Sequence, residues 1–468
     1  MHRSYVGKAG LLAALLATAA SAPRLAAQQQ DSTINALEQR LNEVDQAARI
    51  AARKFEIYQD SVAAAARTKA SVTAGSGGFQ LKSADGNFVL KLRGYAQADG
   101  RFFLDDSAKV LTNDFLLRRV RPILEGTIYK YYDFRIMPDF GGAAPTIFDA
   151  YFQARFKPEF AVRAGKFKPA VDLERLQGAT DIKFVERGLP TNLAPNRDVG
   201  LQLSGDIHGG IVSYSAAIFN GVPDLASGLN DISDQKDLVG RLFIAPFATK
   251  PTSKIDLGFG VGASTGKELG STANTALASY RAPGQATIFK YNANSPATIA
   301  GTTIANGRRS RIAPQAYLNI GSLGFQGEYI LSRQVVTRDT AVALTQTKRL
   351  EHKAYQIAGS FLLTGEKNSY AGITPKKQFD PLAGGWGAVE LVARYGQIDF
   401  DDASFPFFAN PANSVTKAKA WGVGINWYLA KNVKIAIDFE KTKFNGGAAA
   451  NGDRPDEKYI ATRFQTSF

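Results

Sequence analysis

The hydrophobic rhythm of the chain changes twice, and each change predicts a different element. An apolar stretch at residues 9–20 follows His2, Arg3 and Lys8 and gives way to small residues ending at Ala26-Ala27. That is the three-part plan of a secretory signal, and the apolar run is well short of the ~20 residues a spanning helix needs. Residues 1–27 are therefore expected to be a cleaved signal peptide. Next, Ile34, Leu37, Leu41, Val44, Ala48, Ala51, Phe55, Tyr58 and Val62 alternate at spacings of three and four. Charged residues fill the intervening positions, which is a heptad seam. Residues 28–70 are expected to form a periplasmic coiled-coil helix weakened by Ala48 and Ala51, although one amphipathic helix packed on a larger domain would share the pattern. The sequence TAGSGG at 73–78 predicts a linker over 71–78.

From residue 79 to 468 the period becomes two. Val433, Ile435, Ile437 and Phe439 alternate with Lys434, Ala436, Asp438 and Glu440. Ile460, Thr462, Phe464, Thr466 and Phe468 share one face of the last strand, and Phe88, Leu90 and Leu92 alternate with Lys91 and Arg93 near the first. A soluble sandwich has the same alternation. Three features favour a membrane barrel instead. The strands approach the ~9–11 residues that cross a bilayer at a tilt. Aromatics at strand ends (Tyr95, Trp427, Tyr428, Phe439, Phe468) suit interfacial girdles. The chain also ends on Phe468, closing an amphipathic strand. In hydrocarbon every backbone group needs an internal partner, so the sheet must close. A strand, turn and loop repeat of roughly 24 residues predicts an all-β transmembrane antiparallel barrel of about 16 strands. On the parity of the strand at 433–440, Ile435 and Ile437 face lipid, and Ala436 faces the lumen and tolerates Arg.

Charge sharpens this picture. The chain has 56 Lys and Arg against 42 Asp and Glu, a net charge of +14, with three His and no Cys. The leader carries three basic residues, and residues 28–69 balance six basic against six acidic, which leaves eleven excess positive charges on the barrel. A positive channel with low-dielectric walls concentrates anions. Nucleic acid is an implausible partner at the outer membrane, and lipid and lipopolysaccharide are the expected surface partners. Isolated His208 and His352 argue against a metal centre or a hydrolase triad, so neither a cofactor nor a catalytic residue is expected.

Several stretches in order carry a resemblance: FVLKLRGYAQADGRFF, then FLLRRVRPILEGTIYKYYDFRIMPDF, DAYFQARFKPEFAVRAGKFKPAVDLERL and KFVERGLPTNLAPNRDVGLQLSG. Residues 79–221, roughly a third of the chain, resemble the phosphate-selective porin O and P family. The resemblance implies a trimeric 16-stranded barrel whose long third loop folds inward, with Arg and Lys lining the anion path. By position, Arg118 and Arg119 correspond to the paired arginines of that family's constriction. Arg121 follows on the same strand, and Lys183 lies near the family's loop lysine. Where the family often has a Ser pair before that lysine, this chain has Gly178-Ala179-Thr180-Asp181. Asp181 thus introduces a negative charge beside the expected path.

Period two assigns Lys91, Arg93, Arg119, Arg121, Arg155, Arg163, Arg394 and Arg463 to the lumen. Arg118 would then point outward unless its strand begins after it, so it is placed at a loop junction. Lumen-facing Glu125, Glu390, Asp438 and Glu440 are expected to pair with some of these bases. The function expected is passive diffusion of phosphate-like anions through a homotrimeric porin. A general porin, a porin for polyphosphate or organic anions, and an outer-membrane tether to the cell wall are the alternatives.

Overall fold

The computed structural model describes residues 25–105, 111–142, 144–229, 233–294, 301–339 and 345–468. The chain divides into two units, residues 1–69 and 70–468. In the first, one uninterrupted helix, α1 (Leu25–Thr68), carries the heptad seam. The seam is open: Leu37, Leu41, Val44, Phe55 and Tyr58 are all exposed. No helix among the described residues is long and apolar enough to cross a membrane. Most of the expected signal peptide, residues 1–24, lies outside the described residues.

The second unit opens with a hairpin, β1 (Ser71–Gly75) and β2 (Gly78–Lys82). The stretch expected as a linker is therefore a strand and its turn. Val72 and Thr73 pair with Leu81 and Gln80, and Ser76-Gly77 make the reversal. Next come β3 (Phe88–Leu104), β4 (Asp114–Ile128), β5 (Tyr132–Asp139), β6 (Thr146–Lys157), β7 (Phe160–Phe167), β8 (Asp198–Ile207), β9 (Val212–Phe219), β10 (Asp237–Ile244) and β11 (Ile255–Leu269). A small hairpin, β12 (Tyr280–Arg281) and β13 (Thr287–Phe289), interrupts the series. The series then resumes with β14 (Thr303–Ile320), β15 (Leu323–Asp339), β16 (Thr345–Leu362), β17 (Ala388–Asp399), β18 (Val415–Ala430), β19 (Val433–Gly446) and β20 (Glu457–Ser467).

Strands β3–β11 and β14–β20 form a closed antiparallel barrel of 16 strands. Closure comes from β20 pairing with β3, from Lys458↔Leu104 to Ser467↔Tyr95. The terminal Phe468 completes the seam, its amide donating to the Gly94 carbonyl at 2.9 Å and its carbonyl accepting from the Gly94 amide at 3.0 Å. Each of these 16 strands is paired on both sides, as an apolar solvent requires.

The wall is apolar outside and polar inside. On β19, Ile437 is 51% exposed, whereas Ala436, Asp438 and Glu440 are at most 1% exposed. A soluble sandwich would show the opposite, because its apolar face is the one hidden from water. Ala436 faces inward as expected, but it is packed against Val185, Tyr459 and Ala461. The expectation that Arg would be tolerated there is corrected, because the space is filled by the loop that carries Val185. Tyr95 and Tyr428 do not belong to an interfacial girdle. Tyr95 accepts a hydrogen bond from Arg121 inside the barrel, and the buried Tyr428 hydroxyl donates to Glu390.

Candidate functional site

Residues 168–197 leave the wall between β7 and β8 and fold into the lumen, where most of them are buried. Side chains of the opposite wall grip their backbone. Lys434 donates to the Ile182 carbonyl at 3.0 Å and Asn426 to the Lys183 carbonyl at 2.8 Å. Asp438 accepts from the Val185 amide, and Arg394 donates to the Glu186 carbonyl at 2.8 Å. These contacts answer the hydrogen-bonding demand of a buried irregular backbone, which has no ladder to satisfy it. A second segment, residues 363–387 between β16 and β17, meets the first inside the barrel. The Tyr370 hydroxyl donates to the Leu173 carbonyl at 2.6 Å, and Gln177 donates to the Tyr370 carbonyl at 2.7 Å.

A polar cavity inside the barrel has a volume of about 380 Å³. Nine cationic side chains line it against two carboxylates, Asp149 and Asp181. A smaller cavity of about 90 Å³ also contains Arg281. Arg118, Arg119, Arg175 and Arg187 line both cavities and so form a collar between them.

A β-bulge builds the wall side of that collar. Gln97 of β3 pairs with Arg119, but the next residue, Ala98, pairs with Leu117, which leaves Arg118 as the extra residue of β4. A bulge shifts the side-chain alternation by one. Phe115 and Leu117 before it point outward and are strongly exposed, while Arg119 and Arg121 after it are buried in the lumen. Arg118 therefore lies within the strand and not at the expected loop junction. Asp139 braces the bulge, with Oδ1 accepting from the Val120 and Gly141 amides (3.1 and 3.0 Å) and Oδ2 from Arg121 Nε (2.8 Å). Gly141 is needed here, since a Cβ would lie 2.8 Å from the Arg119 Cα.

The loop side of the collar keeps its charge. Arg175 donates to the Thr191 carbonyl, Arg187 to the carbonyls of Glu174 and Gln177, and Lys168 to those of Leu176 and Gln177. Carbonyl oxygens orient these cations without neutralising them. Burial and repulsion from Arg175 bring Arg187 down to about 10, which leaves it charged at neutral pH. Burial, with repulsion from Arg197 and Arg187, holds Lys168 well below the ordinary lysine value. Asp181 is pushed upward, chiefly by burial. Below the collar, the Phe148 ring lies between two guanidinium groups, Arg121 at 3.8 Å and Arg197 at 4.3 Å from its centroid. Arg197 also donates to Asp149 at 3.1 Å. Cation–π contact fixes each guanidinium without supplying a counter-charge.

Of the residues singled out in the sequence, Arg93, Arg118, Arg119 and Arg121 come together on the large cavity. Lys183 is placed elsewhere, buried between Glu390 and Asn368. Lys91 lies opposite Glu125 on the neighbouring strand. Arg155 pairs with Asp133 at 3.2 Å. Arg163 donates to Gln153 and stacks 4.3 Å from the Tyr151 centroid. The cavity also gathers Arg135, Lys168, Arg175, Arg187 and Arg197, which sequence parity did not single out. All but Arg135 sit on an irregular loop, where period two carries no information. Arg135 shares inward parity with Asp133 and Met137 on β5, so strand alternation could have found it.

Comparison with known proteins agrees with the barrel. The chain is 26% identical over 438 residues to Porin O of Pseudomonas aeruginosa, a match covering 84% of this chain and 91% of that protein. The fold is similar to the outer membrane channel DcaP of Acinetobacter baumannii, with a TM-score of 0.52 at 10% identity, over 85% of this chain and 100% of that one. The profile of the family described as "Phosphate-selective porin O and P" matches residues 90–468. The chain, an outer-membrane porin, belongs to the phosphate-selective porin O and P family.

Proposed function

We propose that the chain forms a water-filled, anion-selective channel through which phosphate-like anions diffuse passively, with no reaction catalysed and no cofactor required. The observation that carries this is the nine-to-two ratio of cations to carboxylates lining one cavity, with four arginines shared between it and a smaller one. An anion that enters must shed part of its hydration shell, and guanidinium donors replace the lost water. Arg suits the task because its planar fork matches two oxygens of a phosphate and stays charged. The collar cations held by carbonyls lower the barrier for an anion and raise it for a cation. The family description favours phosphate as the substrate. Arg93, Arg121, Arg118 and Arg119 belong to the path, while Lys91, Arg155, Arg163 and Lys183 act as wall or loop supports.

The working form in this proposal is a homotrimer. The open heptad seam of α1 supports it, since a seam of this kind is stable only when a partner helix covers it. The outward apolar face meets lipid, and lipopolysaccharide meets the exposed basic residues. Single-channel recording of the purified protein tests the function. Chloride current that exceeds potassium current and saturates on addition of phosphate is expected. Equal cation and anion currents would replace this function with that of a general porin.

A further inference from the structure

One carboxylate stands among the collar arginines. Glu186 is 3% exposed, lines the smaller cavity, and belongs to the loop segment gripped by β17, β18 and β19. Arg118 chelates it in a fork, with Nε on Oε1 and Nη2 on Oε2. Arg101 Nη2 reaches Oε1 at 2.8 Å, and Arg119 Nη2 lies 3.7 Å from Oε2. Three guanidinium groups thus converge on two oxygens from different directions. A small oxyanion held by this collar would present its oxygens to the same donors. Burial pushes the Glu186 carboxyl up, but Arg118, Arg119 and Arg101 overcome this and hold it well below the usual carboxylate range. It is therefore an anion at any working pH of the channel.

The carboxylate cannot leave, because its own backbone is fixed: the Glu186 carbonyl is bound by Arg394 and the Val185 amide by Asp438. Among the described residues, its side chain is nonetheless the one carboxylate that pairs with both Arg118 and Arg119. We propose that Glu186 is a tethered counter-anion that competes with the permeating anion for Arg118 and Arg119 and so sets how tightly the collar holds its cargo. Conduction needs a site strong enough to attract an ion and weak enough to release it. Three arginines with no carboxylate would trap a phosphate. With Glu186 in place, the permeating anion takes the outward donors of Arg118 and Arg119 together with Arg175 and Arg187, and Glu186 recaptures its partners as the anion departs. The proposal rests on the anion-channel function above.

The experiment measures chloride current through the full-length protein while inorganic phosphate is added. In Glu186→Gln, phosphate should block chloride current at a concentration lower by about tenfold, the weight of one charge-assisted hydrogen bond. Phosphate current at saturation should fall, because release is slowed. Glu186→Asp keeps the charge but shortens its reach to Arg118, so phosphate block should tighten in the same direction, by less than in Glu186→Gln. Gel mobility with and without heating reports whether each barrel is folded. If Glu186→Gln is folded and its phosphate block is unchanged or weaker, Glu186 merely positions the arginines and the proposal is overturned. Should Gln fail to fold while Asp folds, phosphate block in Asp decides: a shortened carboxylate that withdraws from Arg118 must tighten phosphate, and a looser or equal block overturns the proposal. A wild-type channel without anion preference would instead remove the anion-channel function itself.

Discussion

Arg118 and Arg119 are adjacent in sequence and face the same side of the barrel wall, because Arg118 is the extra residue of a bulge opposite Gln97 and Ala98. In regular strand, neighbours alternate between the two faces. The bulge sets two fixed charges side by side at the collar and still returns Pro122 and Leu124 to lipid.

This pair should control selectivity. The double change Arg118→Ala plus Arg119→Ala should lower the ratio of chloride to potassium permeability and abolish saturation of chloride current by phosphate. Two converging donors vanish together, and Glu186 loses most of its counter-charge. Reversal potentials in asymmetric salt measure the ratio. An unchanged ratio would place the filter elsewhere.

The wall should be sensitive from both faces of β19, for different reasons. Ile437→Arg puts a charge into hydrocarbon, at a cost of about 2–4 kcal/mol near the bilayer midplane. Ala436→Arg faces the lumen but must displace Val185 and the loop behind it, and overpacking of this kind costs about 1–3 kcal/mol or more. Urea unfolding in lipid vesicles reads both. Full stability in the Ala436 variant would mean that the loop lifts readily from the wall.

Lys183 and Glu390 should behave as a buried pair. Their side chains are 10% and 0% exposed. Removing one charge strands the other, at a cost of about 3–5 kcal/mol, whereas removing both costs much less. Glu390→Gln alone should destabilise the barrel strongly, and Lys183→Met with Glu390→Gln should recover most of the loss. A double-mutant cycle on unfolding free energies tests the coupling. Additive effects would show that the pair is not a unit.

Anion preference should weaken at high pH sooner than an ordinary lysine would allow. Lys168 is held below the normal lysine value of 10.5 by burial and by Arg197 and Arg187. A base with a lowered pKa sheds its proton earlier as pH rises, so the cavity loses positive charge below pH 10.5. Lys168→Arg should flatten this dependence, because a guanidinium keeps its proton. The chloride-to-potassium ratio, recorded at a series of pH values, decides whether Lys168 contributes.

The helix and the barrel should separate cleanly. A peptide spanning residues 31–69 should self-associate as a parallel coil, weakly because of Ala48 and Ala51. A chain starting at residue 70 should still insert, since the barrel closes through β20 and β3. Sedimentation showing only monomeric peptide at high concentration would leave α1 as a single helix without partners.

The barrel was legible in the sequence because period two is written along it. Ile437 against Asp438 shows the alternation directly, and the pairing of Glu440 with Arg394 follows from charges of both signs on one inner face. What escaped depends on single departures from regularity. One inserted residue at Arg118 reversed the parity of everything before it. Tyr95 and Tyr428 resemble girdle residues by position, yet their hydroxyls turn inward to Arg121 and Glu390. Lys168, Arg175, Arg187 and Arg197 lie on a loop whose shape is set by partners more than a hundred residues away, so no local rule places their charges. Ser71–Gly75 reads as a linker from its glycines and becomes a strand only because Gly78–Lys82 pairs with it.

The grip on the infolded loop also dictates an order of events. The side chains that hold residues 182–186 come from 208 to 253 positions later in the chain. Contacts of such separation form late, after the intervening chain has been organised. A growing barrel that lacks β17–β19 has none of the side chains that grip the loop backbone at Ile182, Lys183, Val185 and Glu186. In the proposed channel, selectivity is thus the last property to be acquired. A chain halted before its final strands would have an open seam and a lumen without a filter, so completing the wall and fitting the filter become a single step.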